Sequence, residues 1–453
     1  MKNYCVDLTE GNPLKQIFLF SIPIIVSNVV FQLYTTADMA IVGRFCGLNA
    51  YSAIAATSAI IFLYGGLLSG ITNGCAVITS QRIGAKDVDG TKRSIVASIV
   101  VSLGFVAAVA PFMIIYAGPL LRIMQIPDSL FHDSRVYLYC IFGGTFISIF
   151  TNTAIAQIRA IGDSMTPLIW SSVSTVLNII LNILFVALFK WGVFGVGIAT
   201  VSVHTIMAVI YFKIGYSKYS LMRITLHELF HPDWNTVKEQ IRIGMPMSMQ
   251  FVFTAIGCVI RQALTNKLGE DAIGAFAIGS NIEALVTLPL FSVATAMATY
   301  SAQNYGAAKF ERLRRGVCSC VKSMIAYSLL CAAIVLLFYV QWTKIFLKTP
   351  SLEFLEYVWI YCITSAPYYI FLVGVVVYRN VLQGMGYQFV PFLGGVAELI
   401  ARGILIFPMM LFWGYWGLSA TNPLAWILAA VIDYLYYKYL CKKVLPSTDR
   451  TIA

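Results

Sequence analysis

Ser21-Ile-Pro23 opens an apolar run that closes on Ser80-Gln-Arg-Ile-Gly84-Ala85, and Gly244-Met-Pro246 opens a second that closes on Ser301-Ala-Gln-Asn-Tyr-Gly306-Ala307. Further along, Gly162 and Pro167 return as Gly386 and Pro391, and Trp191-Gly192-Val-Phe-Gly195 returns as Trp413-Gly414-Tyr-Trp-Gly417. The spacing of counterparts stays near 222 to 224 residues over most of each half. The chain is therefore two copies of one module.

Composition names the solvent of that module. Of 453 residues, 59% are hydrophobic and 11% charged, with a mean hydropathy of +0.80, which no water-facing surface tolerates. Runs long enough for a helix to cross the hydrocarbon core fall at 14–42, 51–80, 92–116, 134–161, 165–190 and 193–213, then at 237–268, 273–305, 316–340, 354–384, 389–413 and 416–441. The predicted fold is an all-α integral membrane protein. Twelve transmembrane helices form two six-helix bundles, and an even number of spans per copy makes the pseudo-two-fold repeat a parallel one. The expected domains are an N-terminal bundle (1–213), a polar cytoplasmic linker (214–236) and a C-terminal bundle with a short tail (237–453). Several runs exceed the bilayer thickness and predict tilt or protrusion into water. Pro23 and Pro246 are the expected kink or hinge positions.

Lys and Arg set the orientation, because cytoplasmic loops retain positive charge. One side collects Lys2, Lys15, Arg82, Lys86, Lys92, Arg93, Arg159, the 213–242 segment, 309–322, Arg379 and the tail from Lys438. That is roughly 22 basic residues against roughly 7 on the other side, so both termini are read as cytoplasmic. A basic cytoplasmic face against anionic lipid accounts for the net charge of +11 without nucleic acid. No cleavable signal peptide is expected, since the first apolar run lacks a small-residue cleavage site and continues into the repeat. The ten cysteines, Cys5 included, lie mostly inside apolar runs with no CxxC pair and read as small hydrophobes. His227 and His231 sit four apart in the polar linker and read as a solvated helical turn.

Ionisable groups inside a membrane cost several kcal/mol, so each requires a partner or a function. Asp38 stands late in the first span, in Thr35-Thr-Ala-Asp38-Met-Ala-Ile-Val-Gly43, and is the strongest functional candidate; capping of the helix at the outer interface is the alternative. Asn178 and Asn182, four apart in the fifth span, share a helical face, either as a polar pocket or as a helix–helix contact. In the second copy Arg261 stands at offset 223 from Asp38, and Arg402 at offset 224 from Asn178. Glu283 in the eighth span is a candidate partner for Arg261, and Glu398 with Arg402 has the order of an intrahelical ion pair. Asp433, among Tyr434, Tyr436, Tyr437 and Lys438, reads as an interfacial anchor. There is no phosphate loop, HExxH or GxSxG motif, which points away from an enzyme and leaves an ion gradient as the energy source.

Leu8-Thr-Glu-Gly11-Asn, Asp38-Met-Ala-Ile-Val-Gly43-Arg, Gln81-Arg-Ile-Gly84-Ala85, Arg159-Ala-Ile-Gly162-Asp163-Ser-Met-Thr-Pro167, Gln303-Asn-Tyr-Gly306-Ala307 and Gln383-Gly384-Met-Gly386-Tyr together span the chain. They resemble the MATE (multidrug and toxic compound extrusion) family, closest to its bacterial DinF/MepA-like branch. The resemblance implies the MATE/MOP fold and a secondary active transporter of the bacterial inner membrane, working as a monomer. Such a protein exports small amphipathic, often cationic compounds by alternating access against entry of H⁺ or Na⁺, with no cofactor.

Carried over residue by residue, Asp38 is the first-helix Asp of the family and Asn178 its fifth-helix Asn. Many relatives carry a second carboxylate where this chain has Asn182. Thr254 and Leu372 fall where the sodium-coupled branch has its C-terminal carboxylates. A lone carboxylate among neutral neighbours suits proton exchange, while Na⁺ held by Asp38, amides and carbonyls is the alternative and the one metal expected. Arg261, Glu283, Glu398 and Arg402 are assigned to a substrate path or a C-terminal charge network. Two rival functions share the architecture: a lipid-linked precursor flippase of the same superfamily, with Arg261 and Arg402 as pyrophosphate ligands, and a non-transporting receptor or scaffold.

Overall fold

A computed structural model describes residues 6–124 and 126–443. Lys2, Cys5 and the tail beyond 443, all used in the sequence reading, lie outside the described residues. The described residues are helical almost throughout. The spans, labelled α1–α12, begin with α1 Pro13–Phe45, α2 Gly47–Gly84 and α3 Val88–Ile123. α4 is a bent pair, Asp128–Gly143 and Thr145–Ala160, with 53° between its legs, and is followed by α5 Met165–Leu188 and α6 Gly192–Lys218. The second set is α7 Trp234–Thr265, α8 Glu270–Gly306, α9 Phe310–Phe346 and α10 Leu352–Gly384. The stretch Phe389–Lys443 breaks at Gly414 (φ 53°) into α11 (389–413) and α12 (415–443). Gly192, the counterpart of Gly414, also has a left-handed φ of 59° and ends the turn between α5 and α6. The repeated Trp-Gly pair thus makes the same reversal twice, because only glycine enters that region without a Cβ penalty.

Local chemistry fixes the helix starts. Asn12 Oδ1 accepts from the Lys15 amide (3.2 Å) ahead of Pro13, whose missing N–H costs nothing in a first turn. Asp87 accepts from the Gly90 amide (2.8 Å) to start α3. In the linker, Thr225 and Glu228 form a reciprocal capping box around the turn Leu226–Phe230, where His227 and His231 stack at 4.5 Å. α2 has 38 residues, about 57 Å of helix, so it extends well past a hydrocarbon core of about 30 Å.

The chain divides into two compact units: residues 22–245 with Val6, and Asp7–Ser21 with the chain from Pro246 onward. These limits differ from those expected at 213 and 236, and side-chain bonds give the reason. Gln240 Nε2 donates to the Ser94 carbonyl (2.8 Å) and hydroxyl (2.9 Å), which holds the start of α7 in the N-terminal unit. Asn304 and Lys309 donate to the carbonyls of Leu8 (3.1 Å) and Thr9 (2.9 Å), and Arg312 to those of Leu8, Glu10 and Gly11, which holds the segment before α1 in the C-terminal unit. α1 and α7 run as helices through Pro23 and Pro246.

Both fifth spans contain a π-helical segment: Ile183–Leu188 begins directly after Asn182, and Ala401–Leu405 contains Arg402. Such widened turns are rare and concentrate at functional sites.

Candidate functional site: two matched polar pockets

In the N-terminal unit the apolar packing of α1, α5 and α6 closes around a short chain of polar groups. Asn182 Nδ2 donates to Asp38 Oδ1 and to Asn178 Oδ1 (2.9 Å). Asn178 Nδ2 in turn donates to the Tyr34 hydroxyl (3.4 Å), which lies 3.3 Å from Thr200 Oγ1. Asp38 is 9% exposed and both asparagines are fully buried. The shared face predicted for Asn178 and Asn182 is thus a pocket around Asp38. The Asn182 Oδ1 atom has no hydrogen-bond partner among the described residues. A buried acceptor without a donor costs about 1–3 kcal/mol, so the Asn182 oxygen is free to accept one more hydrogen bond. Tyr137 of α4 is buried and packs in one cluster with Val42 of α1 and Val186 of α5.

The C-terminal unit holds six ionisable groups in one network. Glu283 accepts from the Tyr361 hydroxyl and from Asn422 Nδ2, both at 3.1 Å. Asn422 Oδ1 accepts from Arg402 Nε (3.0 Å), and Arg402 Nη1 donates to Glu398 (2.8 Å), the predicted intrahelical pair. Glu398 also accepts from Arg379 and from Thr254 Oγ1 (3.2 Å), and Arg379 Nε lies 3.8 Å from Asp433. Arg261 does not form the expected ion pair with Glu283. Its guanidinium lies over the Phe276 ring at 4.8 Å, where cation–π attraction substitutes for a carboxylate, and Tyr361 and Asn422 occupy Glu283 instead. Two other expectations are corrected. Asp433 is fully buried, not an interfacial anchor, and Arg379 is a partly buried partner of Glu398 instead of a loop charge. An Arg at depth in α10 supplies the countercharge that lets both carboxylates stay inside.

The two pockets occupy the same places in the repeat. Asp38, Tyr137, Asn178 and Thr200 correspond at offsets of 222 to 224 to Arg261, Tyr361, Arg402 and Asn422. The positions are duplicated, and the place of Asp38 carries the opposite charge, Arg261. Sequence reading identified Asp38, Asn178, Asn182, Arg261, Glu283, Glu398 and Arg402; it missed Tyr34, Tyr137, Thr200, Tyr361, Asn422, Arg379 and Asp433. The repeat register was the signal that could have found Tyr137 and Thr200 from Tyr361 and Asn422, or the reverse.

At the cytoplasm-assigned end of the N-terminal unit, Asp163 in the α4–α5 loop is fully buried and receives Lys218 Nζ (2.6 Å), the Tyr219 hydroxyl (2.7 Å) and both the amide and hydroxyl of Thr166 (2.8 Å each). Burial alone pushes its carboxyl upward, but Lys218 and the other donors outweigh it and hold the group below the usual carboxylate range.

Known proteins share this sequence and fold. A relative from Bacillus subtilis (strain 168) named "Probable multidrug resistance protein YpnP" is 25% identical over 448 residues, 97% of each chain. A solved structure described as an outward-facing conformation of a multidrug resistance MATE family transporter of the MOP superfamily superposes with a TM-score of 0.88 at 21% identity, covering 97% of this chain and 98% of that one. A second, a MOP superfamily transporter from Pyrococcus furiosus described as having a binding pocket of reverse polarity, gives 0.87 at 21% identity over 97% and 98%. The MatE family model matches twice, at residues 23–184 and 246–401, once on each copy of the module. The chain therefore belongs to the MatE family of membrane transporters.

Proposed function

We propose that this protein is a proton-coupled antiporter that exports small amphipathic, mainly cationic organic compounds from the cytoplasm. It works as a monomer in the bacterial inner membrane with both termini cytoplasmic. The two compact units, divided near Pro23 and Pro246, are its two halves in alternating access, and those two prolines its hinges. The carrying observation is Asp38, one carboxylate among neutral amides and hydroxyls, beside an unpartnered Asn182 oxygen. Protonation converts Asp38 Oδ from acceptor to donor, which rearranges its bond to Asn182 and changes what α1 is held to. A lone buried carboxylate among neutral amides and hydroxyls suits proton exchange, so H⁺ is the coupling ion we assign. The names borne by the relative and the solved neighbours support drug-like cargo, and the C-terminal network around Glu283 supplies polar contacts along the substrate path.

Efflux of a fluorescent organic cation from proteoliposomes tests the reading, with wild type and Asp38→Asn under an imposed proton gradient and then a sodium gradient. Proton-driven efflux that is lost in the variant supports it. Efflux driven by sodium alone, or unaffected by Asp38→Asn, overturns the assigned coupling. Absence of efflux from folded wild type overturns the exporter reading.

A further inference from the structure

At the end of the N-terminal unit opposite the basic 82–93 loop, which is external in the proposed topology, a groove of about 540 Å³ lies between the end of α3 and the first leg of α4. Its α3 wall is apolar and faces outward: Ile115 is 68% exposed and Ile123 77% exposed. Between them Gly118 gives the groove its width, since an added Cβ there would meet nothing within 4 Å. The α4 wall is built from Phe131, Arg135 and Tyr139, each four residues from the next and therefore on one helical face.

Two guanidinium groups are set into this apolar frame. Arg122, in the last turn of α3, lies over the Phe131 ring at 5.8 Å, and Arg135 lies over the Tyr139 ring at 5.6 Å. Neither donates a side-chain hydrogen bond or forms an ion pair among the described residues, and Asp128 and Asp133, the carboxylates nearest Arg135 in sequence, do not line the groove. A ring face attracts the cation without consuming its N–H donors, so both forks remain available to an oxyanion. The module itself does not demand the charge: at the offset of 224 that aligns Tyr137 with Tyr361, Arg135 corresponds to Trp359. Arg122 stands about 9 Å of helix beyond the apolar run that ends at 116, which is headgroup depth outside a hydrocarbon core of about 30 Å. The exposed rings of Tyr116 and Tyr139 mark the same interface.

We propose that this groove binds an anionic glycerophospholipid of the external leaflet, with its phosphate received by Arg122 and Arg135 and an acyl chain laid along Ile115 and Ile123. Charge complementarity selects the headgroup: two cations and no carboxylate line the groove, and a planar guanidinium fork matches the oxygens of a phosphate. The exposed α3 wall selects a lipid over free phosphate, because only an amphiphile gains from covering Ile115 and Ile123. Bound there, the lipid ties the end of α3 to the start of α4 and stabilises the native N-terminal unit. The leaflet follows from the proposed topology, whereas the site is independent of the coupling ion and the cargo.

The test titrates the full chain, in a neutral detergent, with phosphatidylglycerol and separately with phosphatidylcholine, and counts bound lipid by native mass spectrometry. Wild type is expected to hold one phosphatidylglycerol roughly ten-fold more tightly than phosphatidylcholine. Arg122→Gln and Arg135→Gln should each weaken that lipid by a similar factor, the loss of one charge-assisted contact, and leave phosphatidylcholine binding unchanged. Both arginines are exposed, so their replacement leaves the packing intact. Gly118→Trp fills the groove while keeping both charges and should weaken phosphatidylglycerol as well. Lys344→Gln removes one charge from the last turn of α9 in the other unit and should leave the affinity at its wild-type value. Equal affinity for the two lipids, or unchanged phosphatidylglycerol affinity in both arginine variants, overturns the proposal. An equal loss in Lys344→Gln overturns it too, because attraction to the basic surface at large would then account for binding. Inorganic phosphate and glycerol 3-phosphate distinguish the sources: displacement of the lipid by either at matched concentration makes this a free-anion site and overturns the lipid.

Discussion

Glu398→Gln measures what holds the C-terminal unit together. The substitution keeps the side-chain shape and removes one charge from a buried set in which Glu398 faces Arg379, Arg402 (2.8 Å) and Thr254 (3.2 Å). Breaking a buried pair by removing one partner costs about 3–5 kcal/mol, since the remaining charge stays desolvated. Here Arg402 keeps Asn422 at 3.0 Å and Arg379 keeps Asp433 at 3.8 Å, so the low end, about 3 kcal/mol, is expected. For a unit of this size that corresponds to a fall in melting temperature of roughly 10 °C. Thermal unfolding in detergent, followed by tryptophan fluorescence, reads it directly. Glu311→Gln supplies the contrast, because its pair with Arg315 is exposed and contributes about 0.5 kcal/mol or less. Adding Arg402→Gln to Glu398→Gln should recover part of the loss, as the stranded charge is gone. Equal melting shifts for Glu398→Gln and Glu311→Gln would refute the reasoning, because they would mean that the inner network is as well hydrated as the surface.

Two further outcomes follow from the N-terminal unit. Asn182→Asp places a second carboxylate beside Asp38 and is expected to bring in sodium-dependent efflux, measured as stimulation by a sodium gradient at constant pH; efflux that stays indifferent to sodium would show that carboxylate count does not select the ion. Asp163 has a folded-state carboxyl held below its unfolded value, so its contribution to stability is fully present above the unfolded range of about pH 4 and is lost as pH falls through the lower folded value. Melting temperatures of wild type and Asp163→Asn should accordingly converge as pH is lowered below about 4, and a gap that stays constant down to that range would contradict the sign.

The span count was legible because a membrane helix reads as a long apolar run, and the paired Trp191-Gly192 and Trp413-Gly414 turns reported the reversals that separate α5 from α6 and α11 from α12. The bend in α4 was not legible. At Gly144 an added Cβ would lie 2.5 Å from Val201 Cγ2, so the break belongs to a close approach of α6, which no local pattern records. The same distinction holds in the sites. Asp38, Asn178 and Asn182 stood out because their spacing alone puts polar atoms on one helical face. Arg379 and Asp433 did not, because the depth of a charge near a span end depends on how far the helix protrudes. The unit boundaries were hidden for a related reason: the bonds of Gln240 and Arg312 reach across some 146 and 304 residues of sequence.

The π-helical turn after Asn182 also sets a phase. An α-helix advances by about 100° per residue, and a π-turn accommodates one residue more than the α-helical path would. Val186 and Ala187, inside the segment Ile183–Leu188, line a pocket at the end of α5 in the N-terminal unit, while upstream Asn178 and Asn182 face Asp38. Deleting Ile183 would leave Asn178 and Asn182 in place and turn the helical residues that follow by about that angle. A widened turn of this kind lets two surfaces on one helix be aimed independently.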